Sequence, residues 1–170
     1  MKTEIRLLKK SDFIKSFNGK ETNIYVLKNK NGFVSEITNY GARVVSLWTP
    51  DSKGKFEDIV LGFDNIDSYI NSIEKYFGAT VGRCGNRIKD GKFVIEDKEY
   101  FLENNNGSNH LHGGNNGFND VAWNANQINE QTLELRYSSK NMEEGYPGNL
   151  NVKILYNLNN QDELKIEYFA

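Results

Sequence analysis

The chain has 170 residues, enough for one domain of ordinary size, and its 21 basic and 23 acidic side chains nearly cancel to a net charge of −2. That balance argues against nucleic acid as a partner, because nucleic-acid-binding proteins usually carry a basic excess. No apolar run approaches the roughly 18 residues a membrane span requires, Met1 to Arg6 lacks the apolar core of a secretory signal, and the single cysteine, Cys84, leaves no disulfide framework. The expected location is the cytoplasm.

Taken in order, the residues read mostly as strands. Asn23 to Leu27 and Phe33 to Ile37 form a predicted hairpin about the Asn29–Gly32 turn. Tyr40-Gly41-Ala42 bends the chain into a strand from Arg43 to Trp48. A turn at Lys53–Lys55 precedes a short apolar strand from Asp58 to Gly62. Ile66, Tyr69, Ile70 and Ile73 recur at helical spacing and predict a helix over Asn65–Lys75. Phe93–Ile95 and Tyr100–Leu102 flank a turn at Glu96–Lys98. Thr132–Tyr137, Asn151–Tyr156 and Glu163–Tyr168 alternate cleanly and read as one antiparallel meander. Short strands at this spacing predict an all-β fold, an antiparallel sandwich or barrel, with no composition break to divide residues 1–170 into two domains. The sequence stops at Phe169-Ala170 within an alternating strand, as a domain cut in mid-strand would.

Two polar loops carry the chemistry. One is Val81 to Ile88, which holds Arg83, Cys84, Asn86 and Arg87. The other runs from Asn104 through His110 and His112 to Gly113-Gly114 and contains both histidines of the chain. Histidine exchanges protons near neutral pH, and glycine permits close backbone approach and positive φ. Arginine, asparagine and histidine together give fixed donors, mixed amide groups and a proton carrier, a set suited to a polyhydroxylated ligand. If His110 and His112 shared one extended strand they would point to the same face. A metal site is nevertheless disfavoured, since Asn115–Phe118 brings no carboxylate and no Cys or Asp/Glu cluster completes a ligand set. Arg87 has an ion pair with a surface acid such as Asp90 as its plain structural role, and Cys84 that of a buried, inert thiol.

The ordered motifs resemble those of the aldose 1-epimerase (galactose mutarotase) family. They are Asp58-Ile59-Val60-Leu61-Gly62-Phe63, Tyr76-Phe77-Gly78-Ala79, Val81-Gly82-Arg83 with Asn86-Arg87-Ile88, Gly91-Lys92-Phe93, Leu111-His112-Gly113-Gly114 with Gly117-Phe118, and Glu143-Glu144-Gly145-Tyr146-Pro147-Gly148. The resemblance covers roughly residues 15–170. It implies a galactose mutarotase-like β-supersandwich, here incomplete, and a cofactor-free reaction. In that reaction a base and an acid open the ring of a free aldose such as galactose or glucose, and the ring recloses as the other anomer. It implies a catalytic role for His112 near the ring oxygen and substrate-binding roles for Asn86 and Arg87. His110 stands where the family often has Ser and takes no catalytic role. Family members are about twice as long. Their second histidine and their general-base glutamate fall beyond Ala170, and Glu143 and Glu144 belong to a turn. The expectation is therefore little or no activity from this chain alone. The alternatives are a non-catalytic carbohydrate-binding module and one half of a split epimerase. Partners would then be free aldoses, a complementing C-terminal half, or a second copy associating through open strand edges.

Overall fold

The computed structural model describes residues 5–170, so the reading of Met1–Glu4 lies outside the described residues. Two four-stranded antiparallel sheets face each other. The first is a meander of β3 (Ile24–Lys28), β4 (Val34–Thr38), β5 (Arg43–Pro50) and β6 (Phe56–Asp58), preceded by a small hairpin of β1 (Lys15–Phe17) and β2 (Lys20–Thr22). Next come helix α1 (Ile66–Asn71), the short strand β7 (Arg87–Ile88), the hairpin β8 (Lys92–Ile95) and β9 (Lys98–Phe101), and the short strand β10 (His110–Leu111). The second meander consists of β11 (Asn124–Asn129), β12 (Thr132–Ser139), β13 (Leu150–Leu158) and β14 (Leu164–Phe169).

The main core fills the space between the sheets. Leu27, Ile37 and Val44 of the first sheet meet Leu133, Leu135, Ile154, Tyr156 and Leu158 of the second. These are the alternate residues of each strand, as the period-two pattern requires. A second cluster of Phe13, Ile24, Tyr40, Val45, Ile66 and Tyr69 covers the outer face of the first sheet. Cover on both faces explains why all five residues of β4 are buried. Hydrogen bonds join the layers. The Tyr156 hydroxyl donates to Ala42 O at 2.6 Å, and the buried Arg43 guanidinium donates to the carbonyls of Tyr40, Asn119, Lys75 and Phe77.

The antiparallel sandwich, the two hairpins and the C-terminal meander match the sequence expectation. Two local expectations are corrected. The strand expected over Asp58–Gly62 lies earlier, at Phe56–Asp58. The Asp58 carboxylate accepts from the N–H groups of Leu47 and Val60, which ends the ladder and turns the chain outward, leaving Ile59 and Leu61 exposed. The helix expected over Asn65–Lys75 spans Ile66–Asn71. The Asn65 side chain caps its start by accepting from Ser68 N at 2.8 Å. Ile66, Tyr69 and Ile70 already supply its buried face, Lys75 Nζ donates to the Ile70 carbonyl, and Ile73 is 96% exposed. Strands β1, β2, β7, β10 and β11 are not among the strands the sequence predicts. They are short or polar, and their pairing depends on neighbours rather than on periodicity.

No helix among the described residues is long and apolar enough to cross a membrane.

Candidate active site

The two polar loops meet through a two-residue antiparallel ladder in which His110 pairs with Ile88 and Leu111 with Arg87. Asn105 clamps the second loop, since its amide accepts from Leu111 N at 2.6 Å and donates to Leu111 O at 3.0 Å. The ladder sets Asn86, Arg87 and His112 side by side. The histidines do not share a face. Strand β10 ends at Leu111, and His112 takes a left-handed backbone with φ +52°. His110 turns inward and is fully buried. Its Nδ1 donates to Glu103 O at 2.7 Å, and its ring meets Tyr146 edge-on at 5.4 Å. That is a structural position, in keeping with the absence of a catalytic assignment for it.

His112 stays partly open to solvent and is held from two sides. Its backbone N–H donates to Asn86 O at 3.0 Å, and the Asn86 backbone N–H donates to His112 Nδ1, also at 3.0 Å. Nδ1 is thus an acceptor, which in the neutral ring puts the proton on Nε2 and presents an Nε2–H donor. The Tyr76 ring packs against the imidazole with centroids 4.7 Å apart. Burial, then the Asp120 charge, holds the Tyr76 phenol above its ordinary pKa, so it remains a neutral hydroxyl.

Arg87 is exposed. Its Nε donates to Asn106 Oδ1 at 2.9 Å and its Nη1 to Asn86 Oδ1 at 3.4 Å. Among the described residues it forms no ion pair, so Asp90 is not its partner. Side-chain amides aim the guanidinium while leaving its remaining N–H groups for an oxygen-rich ligand. Asn106 is itself fixed by reciprocal backbone hydrogen bonds with Asn109 at 3.0 and 3.1 Å. Asn106 and Tyr76 are additions to the residues singled out from the sequence. Both lie in stretches the sequence reading quoted, but nothing in the sequence shows which asparagine reaches Arg87 or which aromatic reaches His112.

Arg83 has a different task. It donates to Ser139 Oγ and to the carbonyls of Pro147, Ser139 and Lys140, so it ties the first loop to the second sheet. Glu144 braces the loop after His112 by accepting from Asn115 N and the Asn116 amide. Cys84 is half-buried rather than fully buried. Among the described residues no carboxylate hydrogen-bonds to the side chain of His112, Asn86 or Arg87.

This arrangement offers one imidazole donor, one oriented guanidinium and an exposed amide on one open surface. Residues 23–170 match the aldose 1-epimerase family. The chain belongs to that family. Galactose mutarotase of Bos taurus is 42% identical over 135 residues, covering 79% of this chain and 39% of the bovine protein. Aldose 1-epimerase of Escherichia coli K12 is 29% identical over 153 residues, covering 90% of this chain and 44% of its own length. A solved GalM/aldose epimerase homologue from C. elegans superposes with a TM-score of 0.82 at 32% identity, over 86% of this chain and 45% of that one. Galactose 1-epimerase from Lactobacillus acidophilus gives a TM-score of 0.79 at 25% identity, over 91% and 45%. The fold is therefore galactose mutarotase-like, and this chain of the aldose 1-epimerase family spans about two fifths of the length of the relatives it matches.

Proposed function

We propose that the surface formed by Asn86, Arg87 and His112 binds a free aldose, galactose or glucose, in its pyranose form and supplies the proton-donating side of anomer interconversion. The reading rests on the reciprocal hydrogen bonds between Asn86 and His112, which leave Nε2–H as the free donor of the ring. Placed at the ring oxygen of a pyranose, that N–H would stabilise the negative charge that develops as the C1–O5 bond breaks, and could pass its proton on. Arg87 would hold the sugar hydroxyls through its free guanidinium N–H groups, with Asn86 beside it. A positioned acid of this kind typically contributes about 10²–10⁴-fold. The complete reaction also needs a base for the anomeric hydroxyl. Among the described residues no carboxylate hydrogen-bonds to the three side chains, so turnover by this chain alone would be slow or absent. The chain would be one partial domain of the family, working in the cytoplasm without a cofactor.

The same lack of a hydrogen-bonded carboxylate favours a second reading, a sugar-binding surface without catalysis of its own, or one half of an epimerase completed by a separate polypeptide. Polarimetry of freshly dissolved α-galactose, with the intact chain and with His112→Ala, separates these. Calorimetric titration with galactose tests binding. Binding without faster mutarotation, lost in the variant, supports the binding surface. Acceleration that disappears with His112→Ala supports a working epimerase site. No binding and no acceleration would refute both.

A further inference from the structure

Asparagine followed by glycine occurs four times, at Asn18, Asn31, Asn106 and Asn116. Asparagine is chemically labile, and most so before glycine, where no Cβ hinders the next backbone nitrogen from reaching the asparagine Cγ. The structure sets the four pairs apart. Asn31 donates its Nδ2 to Asn160 O at 3.1 Å and to Asp162 Oδ1 at 2.9 Å, and Gly32 N donates to Asn29 O. Both the amine that must leave and the nitrogen that must attack are therefore held. Asn116 donates its Nδ2 to Glu144 Oε1 at 3.1 Å. Asn18 lies exposed between β1 and β2, with no charged donor on its amide among the described residues. Asn106 differs from all three. Its Oδ1 accepts from Arg87 Nε at 2.9 Å, while among the described residues its Nδ2 and the Gly107 N–H donate to nothing. Gly107 is exposed, and a Cβ built on it would meet no atom within 4 Å, so the space about the dipeptide is open.

We propose that Asn106 is a self-modification site, at which Gly107 N displaces the side-chain amine while Arg87 stabilises the amide oxygen. Gly107 N gives up its proton to hydroxide and bonds to Asn106 Cγ. The electron pair of the Cγ–Oδ1 double bond moves onto Oδ1 and returns as the Cγ–Nδ2 bond breaks. Nδ2 takes a proton from water and leaves as ammonia. The cyclic imide then adds one water and opens at either carbonyl, giving aspartate or its β-linked isomer. Water is the one co-reactant. The step builds negative charge on Oδ1, where the guanidinium N–H already points, as donors do in the oxyanion holes of acyl-transfer enzymes. The product sets a carboxylate against Arg87, so a neutral hydrogen bond becomes an ion pair. The β-linked isomer also lengthens the backbone within the turn and disturbs the reciprocal bonds between Asn106 and Asn109. A guanidinium now aimed by two neutral amides, Asn86 and Asn106, is then drawn to one charged partner.

Peptide mapping by mass spectrometry tests this on the intact chain, held folded in mildly alkaline buffer and sampled over time. Each site is read by the mass gain of amide-to-acid conversion and by the split into two isomeric peptides. In the folded chain Asn106 should convert faster than Asn18, with Asn31 and Asn116 slowest. In denaturant the four rates should converge, since all four share one dipeptide. Arg87→Ala should slow Asn106 about tenfold, the worth of one hydrogen bond from a charged group, and leave Asn18 unchanged. Arg87 is exposed, and a thermal melt checks that the variant folds. An Asn106 that converts no faster than Asn18 in the folded chain overturns the proposal. A rate at Asn106 that holds or rises in Arg87→Ala overturns it too, because the guanidinium then shields the amide rather than activating it. The measurement involves no sugar, so its outcome is independent of the function proposed above.

Discussion

Gly113 meets Gly82 backbone to backbone. A Cβ on Gly113 would lie 1.7 Å from the Gly82 carbonyl oxygen, and Gly113 also has φ +89°. The same carbonyl accepts from Phe118 N, and a Cβ on Gly82 would strike the Phe118 ring at 2.2 Å. The two loops that carry Arg87 and His112 can thus lie in contact only where neither has a side chain. Gly113→Ala should separate them. The unfavourable φ costs about 1–3 kcal/mol, and the clash with a backbone atom adds to it. We expect a clear fall in melting temperature together with loss of galactose binding. An alanine variant with native stability and binding would show that the loop contact is not needed.

The hydrogen bond from Asn86 to His112 fixes a tautomer. At neutral pH the ¹⁵N spectrum of the chain should show a pyridine-like Nδ1 and a proton-bearing Nε2 for His112. His110, whose Nδ1 donates to Glu103 O, should show the reverse pattern. The two histidines therefore act as controls for each other. Identical tautomers at the two sites would remove the geometric basis for His112 as donor.

Arg87→Lys keeps the charge and discards the fork. Lysine cannot bond Asn106 and Asn86 through a planar group while offering further parallel donors to a sugar. Arg87 is exposed and its partners are surface amides, so stability should change by less than about 0.5 kcal/mol. Galactose affinity should fall about tenfold, as expected when hydrogen bonds from a charged group are lost. Equal affinity in the lysine variant, measured by calorimetry, would reduce Arg87 to a supplier of charge.

The sheet architecture was readable from residues 132–137 and 151–168 because one face of each strand is buried and the alternation follows. It was unreadable at β11, Asn-Ala-Asn-Gln-Ile-Asn, where polar residues form a strand through pairing with β12 alone. At the helix, the pattern showed that Ile66, Tyr69 and Ile70 share a face but not that the Ile70 carbonyl would be taken by Lys75, so the expected end fell too late. At the site, the ordered motifs brought Asn86, Arg87 and His112 forward together. The two residues that aim them were hidden for a physical reason. Asn106 is one of three consecutive asparagines, and only the reciprocal backbone bonds with Asn109 select it. Tyr76 is one of nine tyrosines, and its meeting with His112 depends on the fold of the chain between them. The likeness of faces for His110 and His112 failed because a left-handed residue follows the two-residue strand, and strand parity does not survive such a step.

Glu36 is a fully buried carboxyl group in β4. One oxygen accepts from Leu8 N at 2.8 Å and the other from Ser46 Oγ at 2.7 Å. Burial raises its pKa above the ordinary 4.5, and the two hydrogen bonds only partly oppose that. The folded chain therefore holds this proton to higher pH than the unfolded chain does. The stability it contributes is complete below the unfolded pKa and is lost as pH rises through the folded one. Carboxyl groups with lowered pKa, such as Asp51 and Glu134, act in the opposite sense, so the whole-chain profile mixes both. The difference between intact chain and Glu36→Gln isolates the one group. Glutamine imitates the protonated acid at every pH. The melting temperature of the variant relative to the intact chain should therefore rise as pH climbs above the unfolded carboxyl range and level off once pH has passed the folded pKa. A difference that does not change with pH would mean that Glu36 has the same pKa folded and unfolded, and one that falls as pH rises would mean that Leu8 N and Ser46 Oγ stabilise its charge in the fold.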